Sequence, residues 1–330
     1  MLECLLRRTY APADLIARHP PRLRHPHKRL VFALACPDDA RHAGSIEVTR
    51  WAAATLPPAI PPAAPELAAV PGYFEYETRD GLWHVNFADP ALFYAYGSAL
   101  LAQDELQAAE HPALGAVREA LVAEGLPALT EDAGAPTPVL VAGVERRCAI
   151  ATAPDRDAGR PLGLYGNRFA AAPAEVVRAA VRVIDPPTRT NLIAIAAPNG
   201  GLGRYQLDEL RRVAVTAYTG FAAAAAESHR MWPGAPVEIR TGFWGCGAFG
   251  GNRRTMALLQ LLAARLAGVD RVRFYAADRH GQDDLRAAVA DLAQVLGSAG
   301  PGGPGGAPAT DAVLERVAGL GYEWGVSDGN

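Results

Sequence analysis

The stretch Val237-Glu238-Ile239-Arg240-Thr241-Gly242-Phe243-Trp244-Gly245-Cys246-Gly247-Ala248-Phe249-Gly250-Gly251-Asn252 decides how the chain is read. Val237 to Arg240 reads as a strand, and the apolar run Met256 to Ala267 beyond it reads as a helix. Thr241 to Asn252 between them holds five glycines and three large aromatics. A glycine-rich strand-to-helix turn lets backbone N–H groups converge on an anion, and the helix N-terminus adds a favourable field. The expectation is a loop that holds a phosphate or diphosphate. The plainer alternative is a tight turn whose glycines serve positive φ alone. Phe249, late in the loop, either stacks on a ligand ring or plugs the core beneath it.

The commonest phosphate loops are excluded. There is no G-x-x-x-x-G-K-[ST], and the chain has one lysine, Lys28. That leaves no Walker lysine and argues against a lysine Schiff-base enzyme. Gly245, Gly247 and Gly250 spell G-x-G-x-x-G by letter. The dinucleotide fingerprint, however, opens a doubly wound sheet and has an acid about twenty positions on. Here the letters fall late in the chain, and Asp270 precedes a strand instead of ending one.

Working outward, strands alternate with helices, which argues a mixed α/β sandwich. Glu47 to Leu56 reads as helical, and Pro57 to Pro71, with six prolines, as a linker or wrapping coil. Tyr73 to Glu77 and Leu82 to Phe87 flank Arg79-Asp80-Gly81, a β-hairpin signal. Leu100 to Ala123 reads as one helix. Pro138 to Ala142, Cys148 to Thr152, Asn191 to Ala196 and Val272 to Tyr275 read as strands. Leu207 to Ala226, Asp283 to Leu296 and Thr310 to Leu320 read as helices, with Ser298 to Pro308 a Gly/Pro surface loop.

The 330 residues allow one large domain or two ordinary ones, and half of them are apolar, enough for a sizeable core. The net charge of −3 gives no reason to expect a general nucleic-acid surface. Arg7, Arg8, Arg18, Arg22, Arg24, Lys28 and Arg29 read as a solvated face, and His19, His25 and His27 as exposed loop histidines. Cys4, Cys36, Cys148 and Cys246 form no C-x-x-C pair, and no histidine cluster has zinc spacing, so neither metal nor cofactor is expected. With no signal-peptide core and no run near the ~18 apolar residues of a membrane span, the expectation is a reduced, cytoplasmic protein without a membrane partner.

At the glycine loop the sequence resembles the poly(ADP-ribose) glycohydrolase family, which reads close to W-G-C-G-A-F-G-G-D there; the last position is Asn252. Two further places agree in order and spacing. Val85-Asn86-Phe87-Ala88-Asp89 followed by Gln103-Asp104-Glu105 is similar to the family's D-F-A-N and Q-E-E elements. Arg211 to Phe221 is similar to its R-E-L-x-K-A-Y-C-G-F helix. The resemblance spans roughly residues 81 to 285. It departs where the family has a glycine triplet, here Phe93-Tyr94-Ala95, and again at Ser98-Ala99-Leu100, so the chain looks like a distant branch.

The resemblance implies a macrodomain-like fold, a mixed β-sheet sandwiched between helices. Residues 1–72 would be an N-terminal accessory helical and proline-rich segment, and 73–330 the ADP-ribose-binding catalytic domain. It implies a glycohydrolase that cleaves an ADP-ribosyl linkage in protein, nucleic acid or poly(ADP-ribose). Glu105 would be the general acid/base, with Asp104 and Gln103 beside it. Asn86, Phe87 and Asp89 would contact the ligand, and Gly245, Cys246, Gly247, Ala248, Phe249, Gly250, Gly251 and Asn252 would cradle the diphosphate and ribose. Read alone, Asp104 and Glu105 are ordinary first-turn helix acids. Cys246 would have a low-pKa thiol at a helix N-terminus but lacks an activating partner. Two other readings stay open: a non-catalytic ADP-ribose reader, and a small-molecule glycosidase of an NAD-derived metabolite whose closed pocket Phe93 and Tyr94 would shape.

Overall fold

The structure, a computed structural model, describes residues 2–298 and 306–329. Most of the expected Gly/Pro loop over 298–308 lies outside the described residues. In chain order the elements are β1 (Cys4–Tyr10), α1 (Pro12–Arg18), α2 (Pro26–Ala35), β2 (Ile46–Trp51), β3 (Glu66–Val70), β4 (Leu82–Ala88), α3 (Gln103–Glu110) and α4 (Ala113–Ala123). Then follow the two-residue strands β5 (Glu131–Asp132) and β6 (Ala135–Pro136), β7 (Val139–Ile150), α5 (Arg168–Ala171), α6 (Ala174–Ala180), β8 (Val181–Ala196) and α7 (Leu207–Met231). The chain ends with β9 (Glu238–Gly242), α8 (Arg253–Leu266), β10 (Arg271–Tyr275), α9 (Arg279–Ser298) and α10 (Thr310–Gly319).

Eight strands form one sheet in the order β1-β2-β7-β8-β4-β9-β10-β3. β1, β2, β7 and β8 pair antiparallel, while β8, β4, β9, β10 and β3 run parallel. Both edges come from residues before 72: β1 on one side and β3 on the other.

Alternation along β8 separates the two faces. Ile193 and Ile195 pack into a cluster with Phe221 of α7, Leu258 and Leu262 of α8, Leu285 of α9 and Val313 of α10. Leu192 and Ala194 pack into another with Leu15 of α1 and Leu114 and Val117 of α4. The result is the expected mixed sheet between two helical layers.

Several local expectations are corrected. Residues 47–56 are not a helix, because β2 is paired on both sides, with β1 and β7, and Val48 and Trp51 are buried there. Tyr73 to Glu77 forms no hairpin with β4, whose partners are β8 and β9. Instead Arg240 Nη1 donates to the Glu75 carbonyl at 2.6 Å, and the Phe74 ring meets Phe87 and Tyr275 edge-on. The helix over 100–123 is two helices, broken at His111-Pro112, where proline has no N–H to continue the ladder. The strands at 138–142 and 148–152 are one strand, β7, irregular between Val141 and Val144 and between Arg146 and Cys148. The proline-rich coil ends in β3. Lys28 and His27 are not part of a solvated loop: both sit on α2 and are buried.

Candidate active site

A cavity of about 790 Å³ opens where the parallel strands β4 and β9 end, where open α/β sheets bind ligands. One wall is the glycine loop between β9 and α8. The other is the start of α3, which crosses the end of β4.

Gln103 fastens α3 to β4. Its Oε1 accepts from the Phe87 N–H at 2.7 Å, and its Nε2 donates to the Val85 carbonyl at 3.1 Å. Both ends of the amide hold main chain, so Gln103 orients the acids behind it. Asn86, fully buried, donates Nδ2 to Asp104 Oδ1 and to Gln107 Oε1, each at 2.9 Å. Asn86 therefore lies behind the cavity wall. Phe87, Asp89, Gln103, Asp104 and Glu105 line the cavity. Asp89 accepts from the Ala91 N–H at 2.9 Å, turning the chain after β4.

Glu105 caps its own helix, accepting from the Ala102 N–H at 3.0 Å. Both acids are buried, and burial raises both proton affinities. For Asp104 desolvation dominates and the Glu105 charge adds to it, while the Asn86 bond opposes. For Glu105 desolvation dominates and the Lys28 charge opposes. A carboxyl that keeps its proton near neutral pH is what a general acid requires.

On the opposite wall the loop stands on Trp244, whose buried Nε1 donates to the Ile195 carbonyl at 2.9 Å. Gly245 has φ of 75°, and a Cβ there would come within 2.5 Å of the Ala197 Cβ, so this position requires glycine. Gly247 is different. Its φ is ordinary, and a Cβ would meet the Asp328 carboxylate at 3.3 Å, so its bare backbone faces the site. Gly245, Cys246, Gly247, Ala248 and Phe249 line the cavity.

Gly250, Gly251 and Asn252 do not line it. The Gly250 and Gly251 N–H groups close the loop onto the Gly247 and Gly245 carbonyls at 3.0 and 2.8 Å. Asn252 caps α8, accepting from the N–H groups of Arg254 and Thr255 at 3.0 and 3.2 Å. Where the family motif has Asp, the amide oxygen of Asn252 does the capping.

At Cys246 burial raises the thiol pKa more than the nearby Arg253 lowers it, which disfavours the thiolate. Phe249 is half-buried against the core cluster and also forms part of the cavity wall. The Phe93-Tyr94 replacement does not fill the site. Phe93 turns into the core with φ of 51°, and Tyr94 faces solvent at 58% exposure beside Arg118. Neither lines the cavity, so they do not shape a closed pocket; Ala95, Leu100 and Ala102 line that side.

The sequence reading missed several wall residues. Arg253, the residue after the motif, stacks over Phe243 at 5.1 Å and reaches Asp278 and Asp284 only at 3.9 Å. Tyr76, Arg146, Tyr165, Arg182 and Asp328 also line the cavity. Only Arg253 had a local signal; the others are brought in from distant segments. Among the described residues no group of three or more His, Cys, Asp or Glu side chains is placed to hold a metal, and no helix is long and apolar enough to cross a membrane.

Residues 165–283 match the family model described as poly(ADP-ribose) glycohydrolase, macro domain fold. That span holds the glycine loop and begins after the acid pair. Poly(ADP-ribose) glycohydrolase from Thermomonospora curvata aligns with 87% of this chain and 85% of its own, at 17% identity and a TM-score of 0.43. The same protein bound to the inhibitor ADP-HPD aligns over 86% and 84%, also at 17% identity and a TM-score of 0.43. That from Deinococcus radiodurans in complex with ADP-ribose aligns over 88% and 95%, at 13% identity and a TM-score of 0.39. The family match bears out the resemblance at the glycine loop and over Arg211 to Phe221.

Proposed function

We propose that the protein hydrolyses an ADP-ribosyl glycosidic linkage, with Glu105 as general acid and then general base. One observation carries this reading. The glycine loop, inside the span that matches the family model, and the buried Asp104–Glu105 pair face each other across one cavity.

In this reading the arc of Gly247 to Phe249 holds the diphosphate through main-chain N–H groups, with Arg253 supplying countercharge. The ribose then lies against the first turn of α3. As the anomeric C–O bond breaks, Glu105 gives its proton to the leaving oxygen, and positive charge spreads over the ribose ring. Glu105, now a carboxylate, takes a proton from water as that water bonds to the anomeric carbon. Asp104 keeps the neighbourhood negative enough to favour the cation, and Gln103 holds the helix start against β4. The replaced glycine triplet is no obstacle, because Phe93 and Tyr94 point away from the cavity.

The test is to incubate the pure protein with ADP-ribosylated protein, ADP-ribosylated nucleic acid, poly(ADP-ribose) and NAD. The expected result is release of ADP-ribose from at least one of the first three. Tight ADP-ribose binding without turnover on any of them would replace this reading with a non-catalytic reader. Release from NAD alone would select a small-molecule glycosidase.

A further inference from the structure

Lys28 is the only lysine among 32 cationic Lys and Arg residues. It is 2% exposed. α2 carries it to the rear of α3, where its Nζ donates to the Glu105 main-chain carbonyl at 3.4 Å. The Phe169 ring of α5 closes the other side, with its centroid 5.7 Å away. The chain uses arginine for every other Lys/Arg position. A guanidinium stays charged and needs a planar set of acceptors, whereas an ammonium is compact and can give up its proton when desolvated. The one lysine thus stands at a buried site where a compact, titratable cation meets a main-chain carbonyl behind the two acids.

We infer that Lys28 is a positioning residue for the acid pair: its ammonium fixes the first turn of α3 and balances one carboxylate of the two, so that the pair carries one proton. This rests on the reading of Glu105 as the acid. Lys28 does not line the cavity, so it acts through the acids and touches no substrate. The electrostatics agree. Burial pushes Lys28 down to about 8, and the charges of Glu105 and Asp104 push it back up. The other groups acting on this cluster are Asp89, which raises the proton affinity of both acids, and His25, whose own proton affinity Lys28 lowers. Tyr165 is held in its neutral form by burial and by the nearby Asp328 and Glu105 charges.

A single lysine makes the test direct, because protein grown with ¹³Cε-lysine gives one lysine side-chain signal. Its titration is followed by NMR in the ligand-free wild type, Asp104→Asn, Glu105→Gln and the double variant, each first checked for folding by circular dichroism. Each single variant should titrate close to the wild type, because the remaining acid takes over the one negative charge. The double variant should titrate lower by at least about one pH unit, a tenfold loss of proton affinity. An unchanged titration in the double variant overturns the inference. So does a single variant that shifts as far as the double one, since the pair would then carry two charges.

If the double variant does not fold, Lys28→Met decides instead: the pH limb of ADP-ribose release should move up by about one unit, with Lys28→Arg restoring it in part. A lower rate with an unmoved limb marks a merely structural lysine. The lysine titration is independent of turnover, so a wild type that releases no ADP-ribose would overturn the proposed function, while the titration still decides whether Lys28 balances one charge of the acid pair.

Discussion

Asn86 of β4 donates its side-chain Nδ2 to Oδ1 of Asp104 at 2.9 Å, both groups lying out of water. The same nitrogen reaches Gln107 Oε1 at 2.9 Å, so one buried amide aligns two residues of α3 against the end of the central strand. Asn86→Leu leaves both acceptors without their donor. Unmet buried polar groups cost roughly 1–3 kcal/mol each, so the melting temperature should fall by several degrees. Scanning calorimetry checks it, and a melt within a degree of wild type would show that the amide does not hold this junction.

Glu105→Gln keeps an oxygen for the Ala102 N–H and keeps the side-chain shape, but it has no proton to give. Turnover should fall by about 10²–10⁴, the range for losing a general acid, while ADP-ribose affinity measured by calorimetry stays within a few-fold. A variant that turns over at the wild-type rate removes Glu105 from the chemistry.

Asp104 has a pKa raised above its ordinary 3.8, first by burial and then by Glu105. The folded protein therefore holds the one proton of the Asp104–Glu105 pair more tightly than the unfolded chain does. The stabilisation is complete below the unfolded value and is lost as pH rises towards the folded one. Asp104→Asn cannot titrate. Its melting temperature relative to wild type should rise steadily as pH goes from about 4 to about 7. A difference that stays constant over that range refutes the assignment.

The unit β9–loop–α8 could be read from the chain because its signals are local: a short strand, closely spaced glycines, then an apolar helix. β8 was visible for the same reason, through the apolar run 191–196. β2 was not, since its strand state comes from pairing with β1 and β7, which are distant in sequence. Tyr73 to Glu77 had strand composition, yet the buried Arg240 takes the Glu75 carbonyl and the rings pack edge to edge. In the site, the acids and the loop carried motifs. Lys28 carried none: a basic stretch among prolines looks solvated, and only the packing of α2 behind α3 puts its one lysine under the acids.

Cys246 tests the same limit from the other side. Its position beside a helix N-terminus suggests an activated thiol, but burial holds the proton on sulfur. Cys246→Ala should keep turnover within about twofold, and the native thiol should react slowly with iodoacetamide at neutral pH, since the thiolate is the reactive form. Rapid alkylation that abolishes turnover would restore a nucleophilic role.

Phe249 joins the loop to the site and to the core. Its carbonyl accepts from the Gly200 N–H at 3.1 Å, a main-chain bond that alanine retains, so Phe249→Ala should keep the path of the loop. What is lost is the ring, which lies between the cavity and the cluster around Trp244. A ring stacked on ribose or adenine is worth about 1–3 kcal/mol, which converts to a roughly ten- to hundredfold loss of ADP-ribose affinity. Because the side chain is only half-buried, the stability cost should stay below the 3–5 kcal/mol typical of a buried Phe→Ala, a drop of a few degrees. Titration calorimetry and a thermal melt on the same preparation separate the two roles. Wild-type affinity with a large fall in melting temperature would make Phe249 a core plug and remove it from the binding surface.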